Sequence, residues 1–168
     1  ATALAPPLTL IFKTSLRTTS LPQEWKTAQV SAIYKKRQKK LAQNYRPISL
    51  TCIACKVLES IIRDALMDHF KINNLLSDQQ YGFINGRSTL VQLLKCLEKW
   101  CDTLDSGGQV DIAYMDFAKA FDTVPHRRLN YKLHHYGIRG QLLSWIEQFL
   151  ANRKQRVCVN DNYSSWKP

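Results

Sequence analysis

A helix-rich α+β fold is predicted by two periodicities that alternate along the 168 residues. Long stretches repeat apolar residues every three or four positions, which is the spacing of one face of an α-helix. Shorter stretches alternate apolar and polar residues, as β-strands do. Hydrophobic residues make up 45% of the chain, which is enough to bury a core. No internal repeat, low-complexity tract or linker divides the sequence.

The first half of the chain contains the clearest helices. A short amphipathic helix is expected around residues 8–16, and a weak strand at 29–36 follows it. The apolar rhythm is strongest at 51–70. Another helix is expected at 88–105, with Ser88 as its N-cap and Gly107-Gly108 beyond its end. The stripe predicted to be buried on it consists of Leu90, Leu93, Leu94, Leu97, Trp100 and Cys101.

The second half contains two more strands and two more helices. Alternation of Val110, Ile112 and Tyr114 predicts a strand at about 109–116, and helices 51–70 and 88–105 are expected to pack around it. Helical patterns then run from about His126 to Tyr136 and from Gly140 to about Ala151. A closing strand is expected from Gln155 to Val159.

Charge indicates the class of partner. The chain has 24 Lys and Arg against 13 Asp and Glu, a net charge of +11, and residues 1–76 alone carry +8. Such a basic segment favours a polyanion, above all nucleic acid, over a merely soluble basic surface. No apolar run reaches the roughly 20 residues of a membrane span. The N-terminal stretch makes a poor signal peptide, so the protein is predicted to be intracellular and not secreted.

The cysteines do not predict a metal or disulfide site. Five is an odd number, which argues against a disulfide framework and for a reducing compartment. Cys52 and Cys55 form a C-x-x-C, but zinc would need a second ligand pair, and the spacing of Cys96 and Cys101 does not supply one. Packing of small side chains on a helix is therefore favoured over metal or redox chemistry.

Asp116 is the residue most suggestive of chemistry. It ends the predicted strand, and a carboxylate there can project into a cleft. Phosphoryl-transfer enzymes use such carboxylates to hold Mg²⁺, a hard cation that prefers oxygen ligands. A lone Asp at a strand end more often caps the following turn, so the residue taken by itself favours the structural interpretation.

The surrounding motif changes that balance. The stretch D-F-A-K-A-F-D-T-V-P-H, residues 116–126, resembles the first catalytic motif of reverse transcriptases of non-LTR (LINE-type) retrotransposons. The resemblance implies that Asp116 binds both catalytic metal ions. It also implies that Phe121 lies under the incoming sugar, where its ring clashes with a 2′-hydroxyl; ordinary core packing is the alternative for Phe121. Asp122 is expected to have a structural role.

Further blocks follow in the family's order. Residues 33–36 and 44–50 resemble the nucleotide-binding face of the fingers, which implies that Lys35 and Arg46 contact the triphosphate. The alternatives are a solvated charge run for Lys35 and an exposed site ahead of a helix-starting proline for Arg46. Residues 80–89 resemble the template path, which implies template contacts for Gln80 and Arg87, although Ile84 stands where the family usually has a basic residue.

The resemblance covers about residues 21–168 and implies a partial right-hand polymerase, with a small antiparallel sheet in its fingers. The expected layout is an N-terminal helical extension at 1–20, fingers at 21–86, a partial palm with the first catalytic motif at 87–124 and a second fingers segment at 125–168. The implied activity is RNA-directed DNA synthesis with two Mg²⁺ ions, an RNA template, a DNA primer and dNTPs, in the nucleus.

Part of the family's site is expected to be missing. The sequence contains no Pro-Gln-Gly and no Asp-Asp pair, the features that complete the nucleotide pocket and the metal ligands in the family. The thumb is also expected to be missing from these residues. One carboxylate cannot place two Mg²⁺ ions, so the fragment alone is predicted to be inactive. A non-catalytic nucleic-acid-binding remnant is the alternative function.

Overall fold

The computed structural model describes residues 3–168. Two units make up this part of the chain: the residues up to Met67 together with Val124–Pro168, and Asp68–Thr123. The first two residues of the predicted extension at 1–20 lie outside the described part. The remainder of that extension contains the first helix.

The element order confirms an α+β, helix-rich fold. Two short 3₁₀ turns, Gln23–Lys26 and Ala42–Asn44, add to the regular elements. The helices are α1 (Ala5–Thr18), α2 (Ile53–Ile72), α3 (Thr89–Asp105), α4 (His126–His135) and α5 (Gly140–Leu150). The strands are β1 (Thr27–Tyr34), β2 (Tyr45–Leu50), β3 (Lys154–Val159) and β4 (Asn162–Tyr163).

The helix predictions are confirmed to within a few residues, because each helix has a stop or start signal beside its apolar repeat. The hydroxyl of Ser88 accepts a hydrogen bond from the backbone N–H of Val91 at 3.2 Å, as its assignment as N-cap requires. Gly137 follows α4 with φ of 88°, a conformation that favours glycine. Local signals of this kind therefore mark the start of α3 and the end of α4.

The sheet is mixed, so the prediction of an antiparallel sheet is wrong in part. Its strand order is β2-β1-β3-β4. β1 pairs with β2 and β3 with β4 in antiparallel fashion, but β1 and β3 run parallel. More than a hundred residues and several helices separate β1 from β3, and such a long connection permits a parallel pair.

β2 was not predicted as a strand, because it contains Pro47. A proline cannot donate a ladder hydrogen bond, so it is tolerated mainly at sheet edges. β2 is an edge strand of this sheet, and Pro47 lies opposite Ala32 of β1. The interpretation of Pro47 as the start of a helix is therefore wrong.

The strand predicted at 109–116 is not formed in the part of the chain that the structure describes. A strand needs a neighbour to complete its backbone hydrogen bonds, and none of the four strands pairs with these residues. Ile112 is 48% exposed and Tyr114 is 86% exposed. The predicted packing of helices 51–70 and 88–105 around this strand is consequently wrong as well.

The buried core lies in the first unit. The indole of Trp145 on α5 is 2% exposed and donates a hydrogen bond of 3.0 Å to the hydroxyl of Ser15 on α1. Phe12 and Trp25 meet edge to face with ring centroids 6.1 Å apart. The other buried apolar residues of this unit are Ala28, Val30, Cys55, Leu58, Ile62, Ile138 and Ile146.

The second unit has no buried residue within Asp68–Thr123. The predicted buried stripe on α3 is wrong for this structure, although the helix itself is present. Leu90 and Leu93 are each 64% exposed, Leu94 is 56% exposed and Leu97 is 51% exposed. The apolar repeat identified a helix face correctly, but no part of the chain within residues 3–168 covers that face enough to bury it.

Candidate nucleotide and nucleic-acid site

The β1–β2 hairpin brings Lys35 and Arg46 to the same face of the sheet. Arg46 lies opposite Ile33, and the backbone N–H of Lys35 donates to the carbonyl of Asn44 at 2.9 Å, which extends the pairing by one residue. Side chains two residues apart on a strand share a face, so Lys35 lies diagonally across from Arg46. Both side chains are exposed.

The tip of this hairpin is ordered by hydrogen bonds. The side-chain amide of the buried Asn44 donates to the carbonyl of Gln38 at 2.8 Å, and the Tyr45 hydroxyl donates to the carbonyl of Lys39 at 2.8 Å. The Tyr34 hydroxyl donates to the carbonyl of Arg37. These hydrogen bonds hold the basic residues 35–40 in a defined loop.

The electrostatics of the hairpin favour anions. No Asp or Glu occurs from Trp25 to Leu58, whereas eight Lys and Arg occur there. Neither Lys35 nor Arg46 forms an ion pair with any residue of the described chain. A flexible ammonium beside a guanidinium fork is a suitable arrangement for triphosphate oxygens.

Arg156 also lies on this open face and was missed by sequence analysis. It pairs with Gln29 of β1, and Gln29 shares a face with Ile33. The guanidinium carbon of Arg156 lies 4.1 Å from the ring centroid of Tyr163 and 4.7 Å from that of Trp166. Its buried Nε has no hydrogen-bond partner among the described residues. Arg156 therefore ties the segment after β3 to the sheet by stacking.

Asp116 and Phe121 both lie in the second unit and are exposed. Asp116 lies in the irregular stretch 108–117, and in the turn that follows, the backbone N–H of Asp122 donates to the carbonyl of Lys119 at 2.9 Å. Phe121 is 79% exposed and meets Phe83 edge to face at 6.0 Å. Ordinary core packing, the alternative for Phe121, is therefore wrong.

Arg87 anchors its own loop. One terminal nitrogen of its guanidinium donates to the carbonyls of Ser77, Asp78 and Gln80, at 3.0, 3.1 and 2.6 Å. The other terminal nitrogen forms an ion pair of 3.2 Å with the Asp78 carboxylate. Gln80 uses its side-chain amide to donate to the carbonyl of Gly82 at 3.3 Å. The template roles of Arg87 and Gln80 stay predictions. For Arg87, the contacts that hold its own loop are an alternative explanation of why an arginine occupies this position.

We expect Arg87→Ala to loosen residues 77–82, because hydrogen bonds from a charged donor contribute about 1.5–3 kcal/mol each when partly protected. Amide hydrogen exchange in this loop should accelerate about tenfold, with little change in the first unit. Arg87→Lys is the matched control that keeps the charge but loses the fork. Unchanged exchange in Arg87→Ala would leave the template role as the better account of this residue.

The comparison with known families decides the identity. The family model described as reverse transcriptase (RNA-dependent DNA polymerase) matches residues 33–167, most of the chain. The chain belongs to the reverse transcriptase family. The resemblance to reverse transcriptases of non-LTR retrotransposons is thereby confirmed, with Lys35, Arg46 and the 116–126 motif all inside the matched region.

Curated relatives of this reverse transcriptase segment come from mobile elements of Drosophila melanogaster. It is 29% identical to a probable RNA-directed DNA polymerase from transposon BS over 94% of the chain. It is 30% identical to a probable RNA-directed DNA polymerase from transposon X-element over 75% of the chain, and 29% identical to the RNA-directed DNA polymerase from mobile element jockey over 96%. The chain spans only 14–18% of the length of these relatives.

Reverse transcriptases generally use divalent metal ions, and the residues of this segment do not provide a complete site for them. No group of three or more His, Cys, Asp or Glu side chains that could hold a metal comes together within residues 3–168. Asp116 offers a single carboxylate. A Mg²⁺ ion requires an octahedral set of oxygen ligands, so further protein ligands are needed before a metal could be held here.

The C-x-x-C pair is also unsuited to reaction or metal binding. Cys55 is fully buried and its thiol donates to the Glu59 carboxylate at 3.2 Å. Burial, and then this hydrogen bond to Glu59, raises the pKa of the Cys55 thiol from its usual 9.0 to about 12. Because the thiolate is the reactive and metal-binding form, Cys55 is inert near neutral pH.

No helix in the described chain is long and apolar enough to cross a membrane.

Proposed function

We propose that this chain is the fingers and first palm segment of an RNA-directed DNA polymerase from a non-LTR retrotransposon. The proposed layout is an extension at 1–20, fingers at 21–86, partial palm at 87–124 and second fingers segment at 125–168. The intact protein copies an RNA template from a DNA primer with dNTPs, in the nucleus. The family match over residues 33–167 and the mobile-element relatives support this assignment.

The observation that carries the nucleotide-binding part is the register of the β1–β2 hairpin. That register puts Lys35 and Arg46 on one open face, within a segment that has no carboxylate to neutralise them. Both cations are free to bind the triphosphate of a dNTP. Neither residue contributes to the buried core, so their charge is available for a ligand.

Asp116 and Phe121 are proposed to act in the intact enzyme. Asp116 contributes one carboxylate to a Mg²⁺ site that other parts of the longer protein complete. Phe121 presents an exposed ring that lies under the sugar of the incoming nucleotide and discriminates against a 2′-hydroxyl. The exposure of both side chains supports these roles, because a buried residue could not reach a substrate.

The test is chemical protection of the hairpin cations by dNTP. The chain is treated with an amine-acetylating reagent or an arginine-specific dicarbonyl, with and without dNTP and Mg²⁺, and each site is quantified by mass spectrometry. At a dNTP concentration ten times Kd, modification of Lys35 and Arg46 should slow by about tenfold, because only the free protein reacts. Lys13 on α1, also exposed and in the same unit, is the internal control.

If dNTP slows the modification of Lys35 no more than that of Lys13 at any concentration, the nucleotide-binding assignment is contradicted. The result would then favour the second candidate function, a non-catalytic nucleic-acid-binding remnant. The net charge of +11 and the lone carboxylate at Asp116 are the observations in its favour. That candidate predicts nucleic-acid binding that weakens linearly on a log–log salt plot and shows no selectivity for dNTP.

A further inference from the structure

Helix α4 carries a second basic surface, separate from the β1–β2 hairpin. Its exposed side chains include Arg127, Arg128, Tyr131, Lys132 and His135, which we call the α4 surface. Residues four apart on a helix share a face, so Arg128 and Lys132 form one stripe. Arg127, Tyr131 and His135 form the adjacent stripe. The inward side is apolar, because Leu129 and Leu133 are half-buried and α4 packs on α5.

The charges of the α4 surface are not compensated within the protein. No Asp or Glu occurs from Thr123 to Ile146. None of the three cations forms an ion pair within residues 3–168, where the pairs are Arg63–Asp64 and Arg87–Asp78. Arg127 and Arg128 also occupy the first turn of α4, where the helix dipole disfavours positive charge. This arrangement costs stability in the free protein and becomes favourable when an anion covers it.

An aromatic ring lies between the cations. Tyr131 is 68% exposed, and its ring meets His135 edge to face with centroids 4.2 Å apart. That contact orients the Tyr131 ring and leaves most of it open to solvent. Cations that follow a phosphate backbone, combined with an aromatic ring on which a base stacks, are the usual means of binding single strands of nucleic acid.

We propose that the α4 surface binds a single strand of nucleic acid, with its phosphates on Arg127, Arg128 and Lys132 and a base stacked on Tyr131. Arg128 and Lys132 are about 6 Å apart along the helix axis, so they can reach successive phosphates of one strand. A lipid surface is less well matched, because membrane-surface helices need an exposed apolar face and the leucines of α4 point inward. This site does not depend on dNTP binding at Lys35 and Arg46.

The test compares two triple variants of the 168-residue chain. Arg127→Gln, Arg128→Gln and Lys132→Gln remove the α4 cations, whereas Lys56→Gln, Arg63→Gln and Lys71→Gln remove the same charge from exposed positions on α2. Binding to a fluorescent single-stranded RNA of mixed sequence is measured by anisotropy at several salt concentrations. Each lost phosphate contact should reduce the slope of log K against log salt by about 0.7, so the α4 variant should lose about 2.

The α2 variant should keep a slope within about 0.7 of the unmodified chain. Circular dichroism is the control, and both variants should retain the helical signal of the unmodified chain. Equal loss of slope in the two variants would overturn the proposal, because net charge would then explain binding without a defined surface. Retained RNA binding by the α4 variant, with loss of binding to phosphatidylserine vesicles, would overturn it in favour of a lipid partner.

Tyr131→Leu separates stacking from charge. Leucine keeps a similar helical propensity and apolar bulk but has no π face. Affinity for the single-stranded RNA should fall by about tenfold with an unchanged salt slope, since base stacking on an aromatic ring has an effect of this size. Unchanged affinity in Tyr131→Leu would overturn the assignment of a stacked base.

Discussion

Trp145→Ala should destabilise the first unit more than any exposed substitution. Trp145 is 2% exposed, stacks on Phe149 at 5.3 Å and donates its indole N–H to Ser15. Removing the indole leaves a large cavity between α1 and α5, and the Ser15 hydroxyl loses the donor from which it accepts a hydrogen bond. The expected loss is about 3–5 kcal/mol of the free energy of unfolding, measured by urea denaturation followed by circular dichroism.

Two further variants identify the source of that loss. Trp145→Phe keeps most of the ring but removes the hydrogen bond to Ser15, so it should cost clearly less than Trp145→Ala. Ile53→Ala, at a position that is 79% exposed, should change stability by less than about 0.5 kcal/mol. If Trp145→Ala and Ile53→Ala have the same midpoint in urea, the core described between α1 and α5 is not what stabilises this unit.

Asp116→Asn should abolish primer extension in an intact element that carries this segment. Loss of one metal-binding carboxylate removes several kcal/mol of transition-state stabilisation, which corresponds to about a thousandfold or greater fall in rate. The measurement is incorporation of labelled dNTP on an RNA template with a DNA primer. The 168-residue chain by itself should show no Mg²⁺-dependent extension, because no group of three or more metal-binding side chains comes together in the part of the chain that the structure describes.

Asp122→Asn is the matched control, since it changes a carboxylate six residues away within the same motif. The turn around Asp122 is closed by its backbone N–H, which the substitution leaves in place. Its effect on extension should stay below about tenfold. Comparable losses in the two variants, or extension by the isolated chain, would contradict the metal-ligand role proposed for Asp116.

Local sequence patterns determined much of the secondary structure and the candidate site. The apolar repeat of α2 and α3, the Ser88 cap and the glycine after α4 act over a few residues, so they can be detected without knowledge of contacts. The hairpin residues Lys35 and Arg46 were also found from sequence. Their motif matches the family, and the hairpin joins strands close together in the chain.

Orientation and burial were decided by tertiary structure. The parallel pairing of β1 with β3, the edge position that accommodates Pro47 and the stacking of Arg156 on Tyr163 and Trp166 join residues far apart in sequence or on different strands. From the sequence, Arg87 is expected to be a solvated charge at a helix start. In the structure, the carbonyls of its own loop accept hydrogen bonds from it.

The sequence by itself thus determined that this protein has helices with apolar faces, a basic segment that contains Lys35 and Arg46, and a reverse transcriptase motif around Asp116. Only the tertiary structure decided which of those faces are covered. The same apolar repeat is buried at Leu58 on α2 and exposed at Leu93 on α3. Periodicity specifies a face through backbone geometry alone, whereas burial requires a second surface to exclude water from it.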